Sequence, residues 1–465
     1  MLRLHADYNR FLVFDKLFRR MIHYRMNKKF LIIGITTLMI IGLGIFLSRH
    51  TVKLTPTERL SSDNTTNPGK STPPNTTPKS EPVNQKTMTL AGGVIEANEM
   101  FALDLYSKYK SKEGNVFFSP YSLSSTLAVI YEGVKGETAK EIQAILHLPD
   151  DIQKVRSDFL NINNELNKTD KKYKLTLANA LWTQKEYPLV DKFLTTVNTY
   201  YDGKVTSLDF KTNTENSRVT INEWVENKTN NKIKELIPTG ILSPATRLVI
   251  TNAIYFKADW AKQFNAENTK DGQFKLSSGS SVNAKMMNQT NYFNYGETSD
   301  LQILEMNYLG NDFSMLILLP SGNNLSKLEN IFSEAKLNEW KKSMQNREVI
   351  VTLPKFKFET KYFMAKDLKD MGMSTAFKYP EADFTGMSPT GELCIDEIIH
   401  QTFIEVTEYG TEAAAASAGI MVASAPTTEE PKRFIADHPF IFIIQQKNSG
   451  NILFIGRVTD PTKSM

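Results

Sequence analysis

The chain has 465 residues, of which 41% are hydrophobic and 23% are charged, as in an ordinary globular protein of one or two domains. The net charge of +4 is uneven, because residues 1–29 carry eight Lys or Arg and two Asp, which leaves the remainder slightly acidic. No basic helix recurs downstream, so a nucleic-acid partner is not expected. One cysteine among 465 residues excludes an internal disulfide.

The N-terminus predicts a membrane-targeting segment. Residues 30–47 (FLIIGITTLMIIGLGIFL) are uncharged and apolar, at the lower length limit for a transmembrane helix. Residues 1–29 are basic, which predicts a cytoplasmic N-terminus. We favour an uncleaved anchor over a cleaved signal peptide, since no A-x-A site follows, and Met26 is an alternative start. Either way, we expect the folded part to be extracytoplasmic, membrane-anchored or secreted.

Residues 48–92 predict a disordered linker, because they are rich in Thr, Ser, Asn, Pro and Lys and contain no aromatic residue. A flexible coil of this length would reach about 35–40 Å. Beyond it, no second linker occurs, so we expect one domain over residues 93–465.

Periodicity within this domain indicates an α+β fold with a large mixed sheet. Ala97, Phe101, Leu105 and Tyr109 recur every four residues and predict a first helix. Ser119-Pro120 opens a second helix after a short strand, and residues 221–236 predict an amphipathic helix. Residues 248–256 (LVITNAIYF) predict a strand at the centre of its sheet. Shorter strands are expected at residues 313–319, 349–353 and 441–444.

Motifs for catalysis are missing from the sequence. There is no G-x-S-x-G, H-E-x-x-H, C-x-x-C or dinucleotide G-x-G-x-x-G motif, and the six histidines lack metal-ligand spacing. We therefore expect neither an enzyme nor a cofactor or metal site. Cys394 is interpreted as a packed core residue, not as a nucleophile.

The most informative segment is the alanine run at residues 410–419 (GTEAAAASAG), which follows a β-branched stretch at 403–407. Read with a period of two, one face carries Thr411, Ala413, Ala415, Ser417, Gly419 and Met421. Such a face suits a strand that enters an already packed sheet late, because no large or charged group needs a new cavity.

Several motifs together resemble the serpin family from about residue 94 to 461. They are residues 115–120 (NVFFSP), 251–260 (TNAIYFKADW), the alanine run, 437–440 (DHPF) and 454–461 (FIGRVTDP). The resemblance implies three β-sheets, about nine helices and an exposed reactive-centre loop. It also implies that the loop is cut by a target protease, inserts into the main sheet and traps the acyl-enzyme.

The resemblance assigns roles to individual residues. Ser119, Ser122, Asn252 and His400 match the shutter, the polar cluster where the strands part, and Trp260 and Glu408 match the breach at the top of the sheet. The hinge comprises Gly410, Thr411, Glu412, Ala413, Ala414, Ala415 and Ala416. Fourteen residues on from Gly410, the scissile bond falls between Ser424 and Ala425. The extra length of residues 425–434 leaves this position open by a residue or two.

Small and apolar residues before the bond favour an elastase-like or subtilisin-like serine protease as the partner, with a papain-like cysteine protease as second choice. The chief alternative is a non-inhibitory serpin that acts as a binding or carrier protein, and a tethered adhesion or structural protein is a third. Non-inhibitory members usually carry bulky, charged or proline residues in the hinge, and this hinge has none. We expect a monomer.

Overall fold

The computed structural model describes residues 93–168, 172–412 and 430–464. The N-terminal segments predicted at 1–29, 30–47 and 48–92 lie outside these residues, as do Ala413, Ala414, Ala415, Ala416, Ser424 and Ala425. Within the described ranges, no helix is long and apolar enough to cross a membrane.

The described residues contain nine α-helices and two short 3-10 turns. The helices are α1 (Val94–Tyr109), α2 (Pro120–Tyr131), α3 (Gly136–Ile145), α4 (Ile152–Leu166), α5 (Asp191–Tyr200), α6 (Phe210–Lys228), α7 (Leu325–Ile331), α8 (Glu334–Ser343) and α9 (Ala365–Asp370). The predicted apolar stripe of α1 is buried, and α2 begins where Ser119 accepts a hydrogen bond from the Ser122 amide at 3.2 Å.

Fifteen strands lie in the same ranges. They are β1 (Val116–Phe118), β2 (Tyr173–Gln184), β3 (Lys204–Leu208), β4 (Leu248–Asp259), β5 (Lys270–Lys275), β6 (Ser281–Glu297), β7 (Leu301–Asn307), β8 (Phe313–Pro320), β9 (Gln345–Pro354), β10 (Phe356–Phe363), β11 (Glu397–Val406), β12 (Gly410–Thr411), β13 (Lys432–Ile435), β14 (Phe440–Gln446) and β15 (Ile452–Val458). The strands predicted from periodicity are all present.

The strands form two hydrogen-bonded networks. The main sheet has the order β10-β11-β12-β4-β2-β3, and the second has the order β1-β15-β14-β8-β7-β6-β9-β13 with β5 beside β6. Strand β6 is 17 residues long and pairs with β9 along most of its length and with β7 at its end. This long strand joins the expected second and third sheets, and the predicted α+β architecture is confirmed.

The helix predicted at residues 221–236 has different bounds. Helix α6 begins eleven residues earlier, where Asp209 caps the amide of Thr212 at 3.0 Å, and it ends at Lys228. Asn230 and Asn231 adopt positive φ values of 51° and 60°, which asparagine tolerates and which a helix does not continue through.

The segment after α6 packs on the main sheet. Ile233, Leu236 and Ile237 are fully buried in a cluster that includes residues of both β4 and β11. Strand β4 is therefore covered on two faces, by this segment and α6 on one side and by the larger core on the other. Burial on both faces explains why residues 248–256 read as a continuous apolar run.

Strands β4 and β11 meet in a parallel ladder of six residue pairs, from Val249 opposite Glu397 to Ile254 opposite Thr402. We call this ladder the seam. The strands that flank the seam pair in the antiparallel direction. Strand β10 is antiparallel to β11, and β2 is antiparallel to β4. Above the seam the two strands separate, and β12 lies between them.

Candidate functional site

The top of the seam is occupied by the first two hinge residues. Gly410 lies opposite Asp259 and Thr411 opposite Ala258 on β4, while Thr411 also lies opposite Val406 on β11. Both pairings are antiparallel. The chain thus folds back at residues 407–410 and enters the sheet for the length of β12.

Gly410 permits this entry because it has no side chain. Its φ of 154° lies in a region that favours glycine, and a Cβ atom there would collide with the backbone of Ala258 and Asp259. The turn before it is tied to β4, since the amide of Trp260 donates to the carbonyl of Tyr409 at 2.8 Å.

Thr411 points into the core. It is 2% exposed, and its hydroxyl lies 2.6 Å from the hydroxyl of Tyr308. The Tyr308 ring stacks on Trp260 at a centroid distance of 4.5 Å, and the Trp260 indole N–H donates to the Thr407 carbonyl at 3.0 Å. Trp260 therefore packs against Tyr308 and bonds the turn at the start of the hinge, and its role in the breach stays a prediction.

Glu408 lies in the turn at residues 407–410 and anchors it through its carboxylate. Its carboxylate accepts hydrogen bonds from Lys355 at 2.8 Å and from Thr269 at 2.8 Å, and the residue is 4% exposed. Burial alone would raise the pKa of Glu408, but the hydrogen bonds from Lys355 and Thr269 outweigh it and lower the pKa. The side chain is therefore ionised at neutral pH.

Glu412 marks the point where the chain leaves the sheet. Its φ is 53°, and its amide still donates to the Glu405 carbonyl at 2.7 Å. One carboxylate oxygen lies 2.9 Å from the Lys232 ammonium and accepts from the Tyr255 hydroxyl at 3.1 Å. The other oxygen is buried without a partner among the described residues.

Lys232 belongs to the buried segment after α6, so this ion pair connects the hinge to the segment that covers the seam. The resemblance assigned no role to Lys232, Tyr255 or Tyr308, although Tyr255 lies within the motif at residues 251–260. Their contacts with the hinge have no local signal, because each residue lies more than a hundred positions from it in sequence.

The polar cluster predicted at the shutter lies across the seam itself. His400 on β11 and Asn252 on β4 are directly opposite each other, and both are fully buried. The imidazole Nε2 accepts from the Ser119 amide at 3.0 Å, so Nδ1 carries the proton and donates to the Asn252 side-chain oxygen at 2.5 Å. Burial lowers the pKa of His400 to about 3, which keeps the ring neutral.

Helix α2 supports this cluster from below the sheet. The Ser119 hydroxyl donates to the Leu453 carbonyl at 2.6 Å, which connects the cluster to β15 of the second sheet. The Asn252 amide donates to the Ser122 carbonyl at 2.7 Å and to the Thr126 hydroxyl at 2.7 Å. The structure therefore brings Ser119, Ser122, Asn252 and His400 into one network, and separating β4 from β11 breaks its central hydrogen bond.

The chemistry available in this network is structural. His400 contacts an amide, not a carboxylate, and no hydroxyl of the network donates to its ring. Cys394 packs half-buried against the core, where burial raises the pKa of its thiol. Among the residues that the structure describes, no group of three or more His, Cys, Asp or Glu has metal-binding geometry.

Known proteins are similar to this chain in sequence or in structure. An uncharacterized serpin-like protein of Methanosarcina acetivorans is 43% identical over 377 residues, 79% of this chain and 88% of the relative. A leukocyte elastase inhibitor of Sus scrofa is 42% identical over 376 residues, 78% of this chain and 98% of its own. The crystal structure of uncleaved ovalbumin matches with a TM-score of 0.72 at 29% identity, and covers 80% of this chain and 100% of that one.

The family model described as serpin (serine protease inhibitor) matches residues 96–461. That range spans the main sheet with its seam, strand β12 at the top of the seam and the hydrogen-bonded network of Ser119, Asn252 and His400. On this match and on the similarity of the relatives, the chain belongs to the serpin family.

Proposed function

We propose that this protein is a suicide-substrate inhibitor of an extracytoplasmic serine protease of elastase-like or subtilisin-like specificity. The observation that carries the proposal is the position of β12, since Gly410 and Thr411 already pair with β4 and Thr411 also pairs with β11. A loop that starts inside the gap between two strands is poised to continue into it after it is cut.

The register of β12 defines where an inserting strand would lie. In an antiparallel ladder, each step forward along the loop is one step back along its neighbours. Continued from Thr411, this register puts residue 417 between Asn252 and His400, and residue 420 between Val249 and Glu397. Residues 415–420 would therefore match the six pairs of the seam, and residues 411–414 would lie above it.

Insertion replaces one parallel ladder by two antiparallel ones. The six parallel pairs of the seam are lost, and each residue of the new strand gains neighbours on both sides. Antiparallel pairing is somewhat more stable per residue than parallel pairing. The exchange favours the inserted state, which provides the driving force for trapping a protease.

The composition of the loop agrees with this register. The inward face of Thr411 would continue with Ala413, Ala415, Ser417 and Gly419, none of which is larger than serine. Met421, the next residue on this face, would come one step beyond the end of the seam. Ser417 would take the place opposite Asn252 and His400, where a hydroxyl can satisfy the polar groups whose mutual hydrogen bond is broken.

In the chemical step, the protease serine would attack the carbonyl of Ser424, and the amide to Ala425 would break, leaving an ester and a free amine at Ala425. Met421, Val422 and Ala423 before the bond are apolar or small, which suits proteases with small primary pockets. Relatives named as leukocyte elastase inhibitors support the same class of target. The basic and apolar N-terminus favours action outside the cytoplasm, tethered or secreted.

A protease panel tests the proposal. Incubation with elastase-like, subtilisin-like, trypsin-like and papain-like enzymes should give SDS-stable complexes with the first two only. Mass spectrometry of the released C-terminal fragment should find Ala425 at its start, and a start beyond Thr428 would contradict the assigned bond. Ser424→Arg should shift the preference towards trypsin-like enzymes.

The same panel separates the alternatives. A non-inhibitory serpin would be cleaved or ignored by every protease and would form no stable complex with any of them. Complexes with papain-like enzymes alone would preserve the trapping mechanism and change the target class.

A further inference from the structure

A cavity of about 250 Å³ lies where strands β6 and β7 separate, in the second strand network. The ladder between the two strands ends at Asn294 opposite Glu305, and β6 then continues along β9. The segment after β4 closes the third side, since the Ala261 amide donates to the Asn307 carbonyl at 2.9 Å. The cavity therefore results from one long strand that leaves one neighbour for another.

Lys262 brings an ammonium group to this cavity. The ammonium donates to the carbonyl of Tyr292 and lies 5.4 Å from the centre of the Phe293 ring. Within residues 93–168, 172–412 and 430–464, no carboxylate lies within 4 Å of it. Burial lowers the pKa of Lys262, so its surroundings only partly replace the water that the charge loses.

Glu305 brings a carboxylate to the same cavity. The residue is 6% exposed, and its Oε2 accepts from the side-chain amide of Asn294 at 2.6 Å. Its Oε1 makes no hydrogen bond to the described part of the chain. Lys341 of α8 is attracted to Glu305, but in the described structure their charged atoms are more than 4 Å apart. One carboxylate oxygen is therefore available to a donor in the cavity.

Lys262 and Glu305, both in the described ranges, form no ion pair with each other, because β6 holds them apart. Tyr292 bonds the ammonium and Asn294 bonds the carboxylate, and these two residues are about 7 Å apart along the strand. A molecule with a positive and a negative end would give each group a partner. The ammonium and carboxylate of an α-amino acid are about 3 Å apart. With a hydrogen bond of about 2.8 Å at each end, it reaches across a gap of this size.

Three asparagine side chains line the cavity and can bind the rest of such a molecule. The Oδ1 of Asn307 accepts from Lys447 at 2.9 Å, which leaves its NH₂ group for another acceptor. The side chains of Asn311 and Asn346 make no hydrogen bond to any other residue that the structure describes. An amide both donates and accepts, so these groups suit a ligand with a polar side chain.

We propose that this cavity binds a small α-amino acid with a polar side chain, with the ligand ammonium at Glu305 and the ligand carboxylate at Lys262. The volume lies below the range of about 300–1,000 Å³ that is usual for drug-sized ligands, so the ligand must be small. This site is independent of the proposed protease inhibition, since the cavity lies outside the main sheet and is lined by no residue of the hinge.

Saturation-transfer NMR of the full chain with L-threonine tests the site, because the methyl group of this probe gives a clear signal and its hydroxyl can reach the asparagine amides. We expect a Kd on the order of 1 mM. N-acetyl-L-threonine lacks the ammonium and L-threoninamide lacks the carboxylate, so each should bind about tenfold more weakly. Equal binding of all three, or no transfer to L-threonine at about ten times the expected Kd, would overturn the proposal.

Two variants assign the two ends of the ligand. Lys262→Met should bind L-threonine about tenfold more weakly and should no longer distinguish it from L-threoninamide, because the partner of the ligand carboxylate is gone. Glu305→Gln keeps an acceptor for the Asn294 amide and should no longer distinguish L-threonine from N-acetyl-L-threonine. Each variant thus loses one preference and keeps the other.

The matched controls carry the same substitutions outside the cavity. Lys270→Met on β5 and Glu297→Gln at the end of β6 do not line it, and both should keep the native order of binding. If either Lys262→Met or Glu305→Gln also keeps the native order, the assigned site is refuted.

None of these measurements uses a protease, so the site and the inhibitory function are tested separately. Selective binding of L-threonine by a chain that traps no protease would support the site and contradict the inhibitory function. Trapping of a protease by a chain that does not bind L-threonine would overturn the site alone.

Discussion

The docked position of Thr411 leads to a prediction for Thr411→Arg. The native side chain is 2% exposed, and its hydroxyl contacts Tyr308 above the stacked Trp260 ring. Within residues 93–168, 172–412 and 430–464, no carboxylate is bonded to this pair, so an arginine in the same position would bury an uncompensated charge. We expect the variant hinge to leave the sheet and the inserted state to be reached slowly.

The magnitude follows from burial. A buried guanidinium without a partner costs several kcal/mol, as for other uncompensated buried charges. If about 3 kcal/mol of this cost appears in the barrier to insertion, insertion slows by roughly 150-fold. Hydrolysis of the acyl-enzyme would then overtake insertion, and the inhibitor would be consumed as a substrate.

Titration of a trapped protease with increasing amounts of inhibitor measures the effect. The number of inhibitor molecules consumed per enzyme should rise at least tenfold for Thr411→Arg. Thr411→Val keeps the shape and removes only the hydroxyl, at about 1 kcal/mol, so it should rise far less. An unchanged stoichiometry for the arginine variant would refute the inward register of the hinge or the insertion mechanism itself.

Three further predictions concern stability and the hinge. Cleavage of the loop by a non-target protease should raise the thermal midpoint, because two antiparallel ladders replace the seam, and equal midpoints before and after cleavage would contradict insertion. His400 binds its proton near pH 6.5 when unfolded and only near pH 3 when folded, so stability should fall as the pH drops below about 6.5, by on the order of 3 kcal/mol at pH 4. Urea unfolding at pH 7 and pH 4 should show a smaller loss for His400→Gln, and an identical loss would mean that other groups carry the effect. Lys232→Met should speed hydrogen exchange at the Glu412 amide about tenfold, by loss of its ion pair with Glu412. Lys234→Met should not, because Lys234 pairs with Glu226 and not with a hinge residue.

Much of the fold follows from local sequence patterns. The four-residue period of α1 and the apolar run of β4 indicate which faces of these elements are buried in the core. The proline near the start of α2 indicates where that helix begins. The alanine run and the motifs at residues 115–120 and 251–260 were enough to recognise the family. Several family motifs occur in this one sequence, and they follow one another in the same order as in the family. The roles of the hinge and shutter residues, and the reactive bond, stay predictions.

Other features were decided by tertiary contacts. The spacing of apolar residues did not predict where α6 ends. Ile233 and Leu236 continue the helical spacing, but they lie in a non-helical segment and are buried against the sheet. Tyr308 contacts Thr411, and Lys232 forms an ion pair with Glu412, although each pair is more than a hundred residues apart in sequence. A single tyrosine or lysine outside a motif gives no indication of such a contact.

The parallel pairing of β4 with β11 also depends on the tertiary structure. Sequence predicts β4 and β11 as strands, but only the assembled sheet makes them parallel neighbours with His400 opposite Asn252. Local patterns determine which residues are buried, since burial depends on the period of each element. Which elements become neighbours depends on the packing of the whole chain, and that packing creates the gap into which Thr411 is docked.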